Sequence, residues 1–222
     1  MADILTLNRR SPLSDWRLRF EAIAPAIVLA EVPFTNTINL RVLPGTPHAD
    51  ALERSLGVRL PRDRSSVERS AGADDLTAVW LAPDEFLLMS SARSAESMLE
   101  VIRGSLAAGG LEGAGLAGGE LEGDGKAAAV DVSAQRTALT LSGPQSRDLL
   151  AGGCSVDLSA EAAPTGTTVQ TMLAQAGVII LVTDADAGAF LLIVRASFAD
   201  YLATWLTTVA VEYAPEGIAP AR

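Results

Sequence analysis

His48 is the one histidine among 222 residues, and Cys154 is the one cysteine. A metal centre built on these residue types, or a nucleophile beside an imidazole base, needs more than one of them close together, so neither chemistry can be assembled here. His48 follows Pro47 in what reads as a solvent-facing first helical turn. Cys154 follows Gly152-Gly153 at the end of a helical stretch, where a small buried thiol is usual. Its neighbours Ser155 and Asp157 supply no cation or base to favour a thiolate. The acid pairs Asp74-Asp75 and Asp84-Glu85 are adjacent in sequence. On an extended chain adjacent side chains point to opposite faces, so these acids read as turn residues and not as an acid/base pair. Gly113 to Gly118 spells G-x-G-x-x-G. A dinucleotide site needs a strand before that motif and a helix opening at it, whereas Gly and Glu flank it on both sides. Arg195 has more to offer, because it closes an apolar run directly before a helix start. There it serves either as a surface cation with its stem on apolar neighbours or as an anchor for a carboxylate partner. Arg41, Arg195, Phe198 and Trp205 form the set of candidate partner-contact residues. No catalytic, cofactor-binding or metal-binding residue is assigned.

Composition narrows the function classes. A formal net charge of -10, with Lys126 as the single lysine, excludes a phosphate-backbone binder and so a nucleic-acid partner. Hydrophobic content of 49% fits a folded domain with a real core. The apolar run from Ala22 to Ala30 is broken by Pro25 and is far shorter than the roughly 20 residues of a membrane span. The first residues carry Arg9 and Arg10 where a signal peptide would be apolar, and a lone cysteine fits a reducing compartment. The expected location is the cytoplasm, with no membrane partner.

The elements that must position these side chains occur twice. Residues 39–61 and 138–158 share a layout of alternating strand, Gly/Pro turn, Leu-bearing helix and an extended piece ending in Leu or Leu-Pro. Residues 80–102 and 181–206 then share an apolar strand, a turn, a second apolar strand and a Ser-started helix. In the first strand Leu40 and Val42 face one way, Asn39 and Arg41 the other. Thr46-Pro47 and Ser94 read as helix starts, and Ser197 with Asp200 resembles a capping box. The continuously apolar stretches Val178 to Thr183 and Phe190 to Arg195 predict central strands. Phe198, Leu202, Trp205, Leu206 and Val209 mark one face of the last helix. The expected fold class is α+β, two pseudo-repeated ferredoxin-like halves of strand-helix-strand-strand-helix order with mostly antiparallel sheets. Expected boundaries are an N-terminal extension over 1–34 leading into a first half over 35–103. A Gly-rich flexible loop follows over 104–125, then a second half over 126–214 and a tail over 215–222. Gly at nearly every third position gives that loop too much backbone entropy to order unaided.

The second half also carries a family pattern: Asp131-Val132-Ser133, Arg136, Leu139, Leu141, Gly143-Pro144, Gly153-Cys154, Asp157-Leu158, Phe190, Arg195, Ser197-Phe198-Ala199, Tyr201 and Trp205. Ser11-Pro12-Leu13, Glu31 to Phe34, Asn39-Leu40-Arg41 and Trp80 to Leu88 continue it in the first half. The chain resembles the gamma subunit of heterotetrameric sarcosine oxidase over nearly its whole length, the Gly-rich loop excepted. The resemblance implies a fold related to the folate-binding part of the glycine-cleavage aminomethyltransferase. It also implies an accessory, non-catalytic place in an assembly that oxidises sarcosine to glycine. Its implied partners are alpha, beta and delta subunits. FAD, FMN and NAD belong to the large alpha and beta chains of such an assembly, zinc to the small delta chain, and tetrahydrofolate to the assembly as a whole. The alternative is a stand-alone folate-binding, aminomethyltransferase-like protein. The transferases carry acidic and Asn side chains where this chain has the apolar Val178 to Leu181 and Arg195, and a buried pterin needs polar partners.

Overall fold

The computed structural model describes residues 9–71, 75–108 and 127–213. Two short segments come first, helix α1 (Arg17–Ala22) and strand β1 (Val28–Val32). The first half continues with β2 (Asn36–Val42), α2 (Pro47–Leu56), β3 (Val67–Arg69), β4 (Thr77–Ala82), β5 (Glu85–Ser90) and α3 (Ala95–Ala108). The second repeats that order as β6 (Ala127–Asp131), β7 (Arg136–Ser142), α4 (Ser146–Ala151), β8 (Thr168–Leu173), β9 (Ala176–Asp184), β10 (Ala189–Arg195) and α5 (Ala199–Ala210). The expected α+β duplication therefore stands. Beyond the expected strands, each half carries β3 or β8 ahead of the apolar hairpin, and β1 and β6 precede the first strand expected in each half. β3 is only three residues long, and β8 alternates polar Gln170 with apolar neighbours at a sheet edge.

The halves exchange strands. One antiparallel sheet runs β3-β4-β5-β2-β6 and the other β8-β9-β10-β7-β1. Thus β6, from the second half of the chain, closes the first sheet by pairing Ala129 with Leu40 and Ala127 with Val42. Conversely β1 closes the second by pairing Leu29 with Leu141 and Val32 with Ala138. The Glu31 carboxylate fastens this exchange by accepting from the Thr137 hydroxyl at 2.8 Å. At the other crossing the Ser133 hydroxyl accepts from the Thr37 N–H at 2.9 Å.

Period-two alternation gives both sheets two apolar faces. On the outer face of the first, Ile38, Leu40, Phe86 and Leu88 pack under α2 and α3. On the outer face of the second, Leu139, Leu141, Ile180, Phe190 and Leu192 pack under α5 and the N-terminal segment. The inner faces meet in a smaller layer of Val79, Leu87, Met89, Ala138, Ile179 and Ile193. The order is helices, sheet, sheet, helices.

Three sequence expectations need correction. Within the extension expected over 1–34, the described residues from Arg9 onward do not lead into the first half, since Leu13, Trp16, Phe20, Ile23, Ile27 and Leu29 are all buried in the second half's core. From Leu13 to Ile27 their spacing of three or four residues marks one face, and the short α1 fits between Pro12 and Pro25. Spacing does not say which half that face covers. Residues Gly104–Ala108 belong to α3 and not to a flexible loop, because Ser105 and Leu106 are buried. The rest of the Gly-rich segment, with its G-x-G-x-x-G match, lies outside the described residues, as does the tail over 215–222. Finally, Ser197 and Asp200 do not form a capping box. A 3₁₀ turn over Ala196–Phe198 leads into α5 with no side-chain cap, and the Asp200 carboxylate accepts from the Trp16 indole N–H at 3.0 Å.

Trp16 is 6% exposed and stacks on Phe20 as well. Trp16→Ala is expected to destabilise the protein by about 3 kcal/mol or more in urea unfolding. A loss under about 1 kcal/mol would show that the N-terminal segment is not part of the second core.

Candidate functional site

The inner layer between the sheets ends in two rims that the duplication relates. Strand register equates Thr37 and Met89 with Arg136 and Arg195, since Asn39 faces Leu87 as Ala138 faces Ile193. The same comparison sets Asp75 of the first half against Gln175 of the second. The two rims have diverged in charge.

At the first rim a cavity of about 140 Å³ is lined by Arg69, Asp75, Thr77, Ser90, Leu181 and Thr183, among others. The Asp75 carboxylate is already taken. It accepts from the Ser90 hydroxyl, from the Ser91 N–H at 2.5 Å and from the Ala92 N–H at 3.2 Å, tying the start of β4 to the turn before α3. Burial alone would raise its pKa, but these hydrogen bonds outweigh that and hold it below the ordinary carboxylate value.

At the second rim a groove of about 380 Å³ is lined by Arg136, Gln170, Met172, Gln175, Arg195 and Phe198 together with the start of β9. Arg136 and Arg195 are directly opposed across β7 and β10. Like charges so placed repel. The Arg136 Nε is buried with no hydrogen-bond partner. Burial first, then the neighbouring Arg195, push its guanidinium below the usual pKa, while Glu85 works in the opposite sense. Glu85 in turn accepts from the Asn39 amide at 2.7 Å. Phe198 and Met172 stand 43% and 52% exposed at the groove. The Gln170 amide donates to the Leu81 carbonyl at 2.6 Å, which joins the groove wall to the first sheet. The arrangement suits an anion with an apolar neighbour.

Of the four residues singled out in the sequence, Arg195 and Phe198 come together in this groove. Arg41 lies on β2, exposed and 3.4 Å from Asp84 in the β4–β5 turn. Trp205 is half-buried on α5, where its ring covers Gly153 so closely that a Cβ there would lie 2.5 Å from it. Arg136, Gln170, Met172 and Gln175 were missed. Arg136 was visible as part of the family pattern, but its pairing with Arg195 follows from β7 lying beside β10. His48 is half-buried in the first turn of α2, and Cys154 is a buried free thiol. Among the described residues no three His, Cys, Asp or Glu side chains are grouped to hold a metal ion.

The corresponding run of β9 offers tetrahydrofolate no polar side chain of its own: Val178, Ile179, Ile180 and Leu181 are each at most 4% exposed and packed into apolar clusters or the rim. The largely apolar cavity at the first rim is smaller than the roughly 300 Å³ at which small-molecule sites begin.

A duplicated pair of ferredoxin-like halves packed sheet to sheet is an aminomethyltransferase-like fold. The glycine cleavage system aminomethyltransferase T from Bartonella henselae shares it with a TM-score of 0.52 and 17% identity, over 85% of this chain and 47% of that one. At that identity the likeness is one of fold alone. The family described as "Sarcosine oxidase, gamma subunit family" matches residues 45–212. Sarcosine oxidase subunit gamma of Corynebacterium sp. (strain U-96) is 31% identical over 219 residues, 96% of each chain. A chain of the heterotetrameric sarcosine oxidase from Corynebacterium sp. U-96 superposes with a TM-score of 0.77 and 28% identity, over 95% of this chain and 99% of that one. This chain belongs to the sarcosine oxidase gamma subunit family.

Two outcomes test the rims. Asp75→Ala strands a hydroxyl and two N–H groups, so a loss of about 1 kcal/mol is expected at pH 7. Because the folded-state pKa of Asp75 is depressed, its stabilisation is present above the unfolded pKa and disappears as pH falls through the folded value. The gap between wild type and variant in urea midpoint should therefore narrow towards acid, and a constant gap would contradict the assignment. Gly153→Ala must displace the Trp205 ring and is expected to cost about 1–3 kcal/mol in thermal unfolding, whereas a neutral result would place that ring elsewhere.

Proposed function

We propose that this chain is the accessory gamma-type subunit of a multi-subunit sarcosine oxidase that oxidatively demethylates sarcosine to glycine, and that it supports the larger subunits without an active site of its own. The observation that carries this reading is similarity over the entire length of a curated gamma subunit, 96% of each chain, and not over a shared module. The fold agrees, because most of the inner faces of the sheets is used up in packing the halves together. In this proposal alpha and beta subunits hold FAD, FMN and NAD, a delta subunit holds zinc, and tetrahydrofolate serves the assembly elsewhere than on this chain. No helix among the described residues is long and apolar enough to cross a membrane. The single unpaired Cys154 supports a cytoplasmic place for the assembly.

Co-expressed with the companion subunits, the chain is expected to co-elute with them and, purified alone, to show no flavin absorbance. Elution by itself in the presence of all companions would sink the assignment. Calorimetry of the isolated chain with tetrahydrofolate should give no binding tighter than about 100 μM, roughly -5.5 kcal/mol. Tighter binding would favour the folate-dependent alternative.

A further inference from the structure

The cationic groove is unusual for this molecule. The chain carries a formal net charge of -10, and yet β7 and β10 set two guanidiniums side by side at one rim. Glu85 is the carboxylate that acts on Arg136, so the local balance leaves one positive charge in excess. Among the described residues neither guanidinium is engaged by a hydrogen bond or an ion pair, and the Arg136 Nε is cut off from solvent as well. Two like charges set directly opposite one another cost free energy that an incoming carboxylate recovers. The duplicated position shows a contrast in charge, for there Thr37 and Met89 replace the arginines and Asp75 is satisfied internally, although the Thr37 hydroxyl is also buried without a partner. The second rim carries an opposed pair of cations, and the first does not.

Its shoulders indicate the size of the occupant. Phe198 and Met172 remain 43% and 52% exposed beside the arginines, an apolar area that a free small carboxylate would leave wet. An acidic side chain on a polypeptide brings apolar neighbours with it and excludes water from the pair, which strengthens charge-assisted bonds. Building on the subunit reading above, we infer that the groove formed by Arg136, Arg195, Met172 and Phe198 receives an Asp or Glu side chain of a partner subunit, flanked by an apolar residue. Arg195 at the open end of β10 guides and pairs the carboxylate. The half-buried Arg136 guanidinium, which lines the groove, adds a second positive charge from below, and Phe198 and Met172 cover the neighbouring apolar side chain. Of the sequence-derived contact set, Arg195 and Phe198 then share one binding event.

The test uses the whole assembly. Tagged companion subunits are co-expressed with wild type, Arg195→Glu, Arg195→Gln, Phe198→Ser and, on the outer helix α3, Arg103→Glu, and the affinity of the chain for the purified partners is measured at several salt concentrations. Arg195→Glu is expected to weaken assembly tenfold or more, with smaller losses for Arg195→Gln and Phe198→Ser, while Arg103→Glu behaves as wild type. The wild-type affinity should fall with salt, and that slope should flatten in Arg195→Gln. If Arg195→Glu itself fails to fold, Arg195→Gln and Phe198→Ser decide. Variants at Arg195 and Phe198 that assemble like wild type would overturn the groove assignment and leave the subunit reading intact. Failure of wild type to assemble would overturn both. A parallel titration of the isolated chain with sodium acetate separates a small-molecule site. Saturable binding lost in Arg195→Gln, with assembly unaffected, would assign the groove to a small carboxylate and refute the partner contact.

Discussion

Neither sheet is complete without a strand from the other half of the chain, and the remaining architecture depends on that exchange. β1 leaves the first half to pair with β7, and β6 leaves the second to pair with β2. Each crossing is short, with three residues between β1 and β2 and four between β6 and β7. A strand so tethered to both sheets holds them face to face and pins the register between halves. Glu31 with Thr137 and Ser133 with Thr37 add side-chain locks at the two crossings. The inner layer can then stay small. Val79, Leu87, Met89, Ala138, Ile179 and Ile193 need only fill the space between sheets that the backbone already holds together.

The exchange also explains why the N-terminal segment belongs to the second core. Once β1 lies against β7, the chain leading to it must pass over the outer face of the second sheet, where α1 inserts Trp16 and Phe20 beside α5. Trp16 then reaches Asp200, a contact spanning 184 residues of sequence. Gly143 shows how tightly this is fitted. It sits at φ +109° beneath the N-terminal segment, and a Cβ there would lie 2.6 Å from the Ala26 carbonyl. Neither half is an independent folding unit.

Duplication gave two equivalent rims, and each has been resolved differently. In the first, a carboxylate satisfies the backbone of the turn that leads into α3. In the second, a pair of arginines and two exposed apolar side chains leave the rim incomplete. The interior strand β9 is apolar over Val178 to Val182, and the opposed cations lie at an open rim. That distribution suits a chain whose work is contact with other chains, as membership in the sarcosine oxidase gamma subunit family accords with.

Local patterning was enough to establish the duplication, the α+β class, the central strands β9 and β10 and the absence of a histidine or cysteine constellation. Alternation, apolar runs and turn residues are properties of neighbouring residues and can be read in order. Family membership was legible for the same reason, through Asp131-Val132-Ser133, Gly143-Pro144 and the run from Phe190 to Trp205. What only the tertiary structure decided was which strand lies beside which. β1 and β6 alternate like any half-buried strand, and no local feature of Val28–Val32 says that its partner is 106 to 114 residues away. The same holds for the groove. Arg136 and Arg195 are 59 residues apart, and only Arg195 stands out in its own segment. They become a site because antiparallel pairing of β7 with β10 sets them opposite one another on the face shared with Ala138 and Ile193, where the Arg136 Nε is buried while Arg195 stays exposed at the rim.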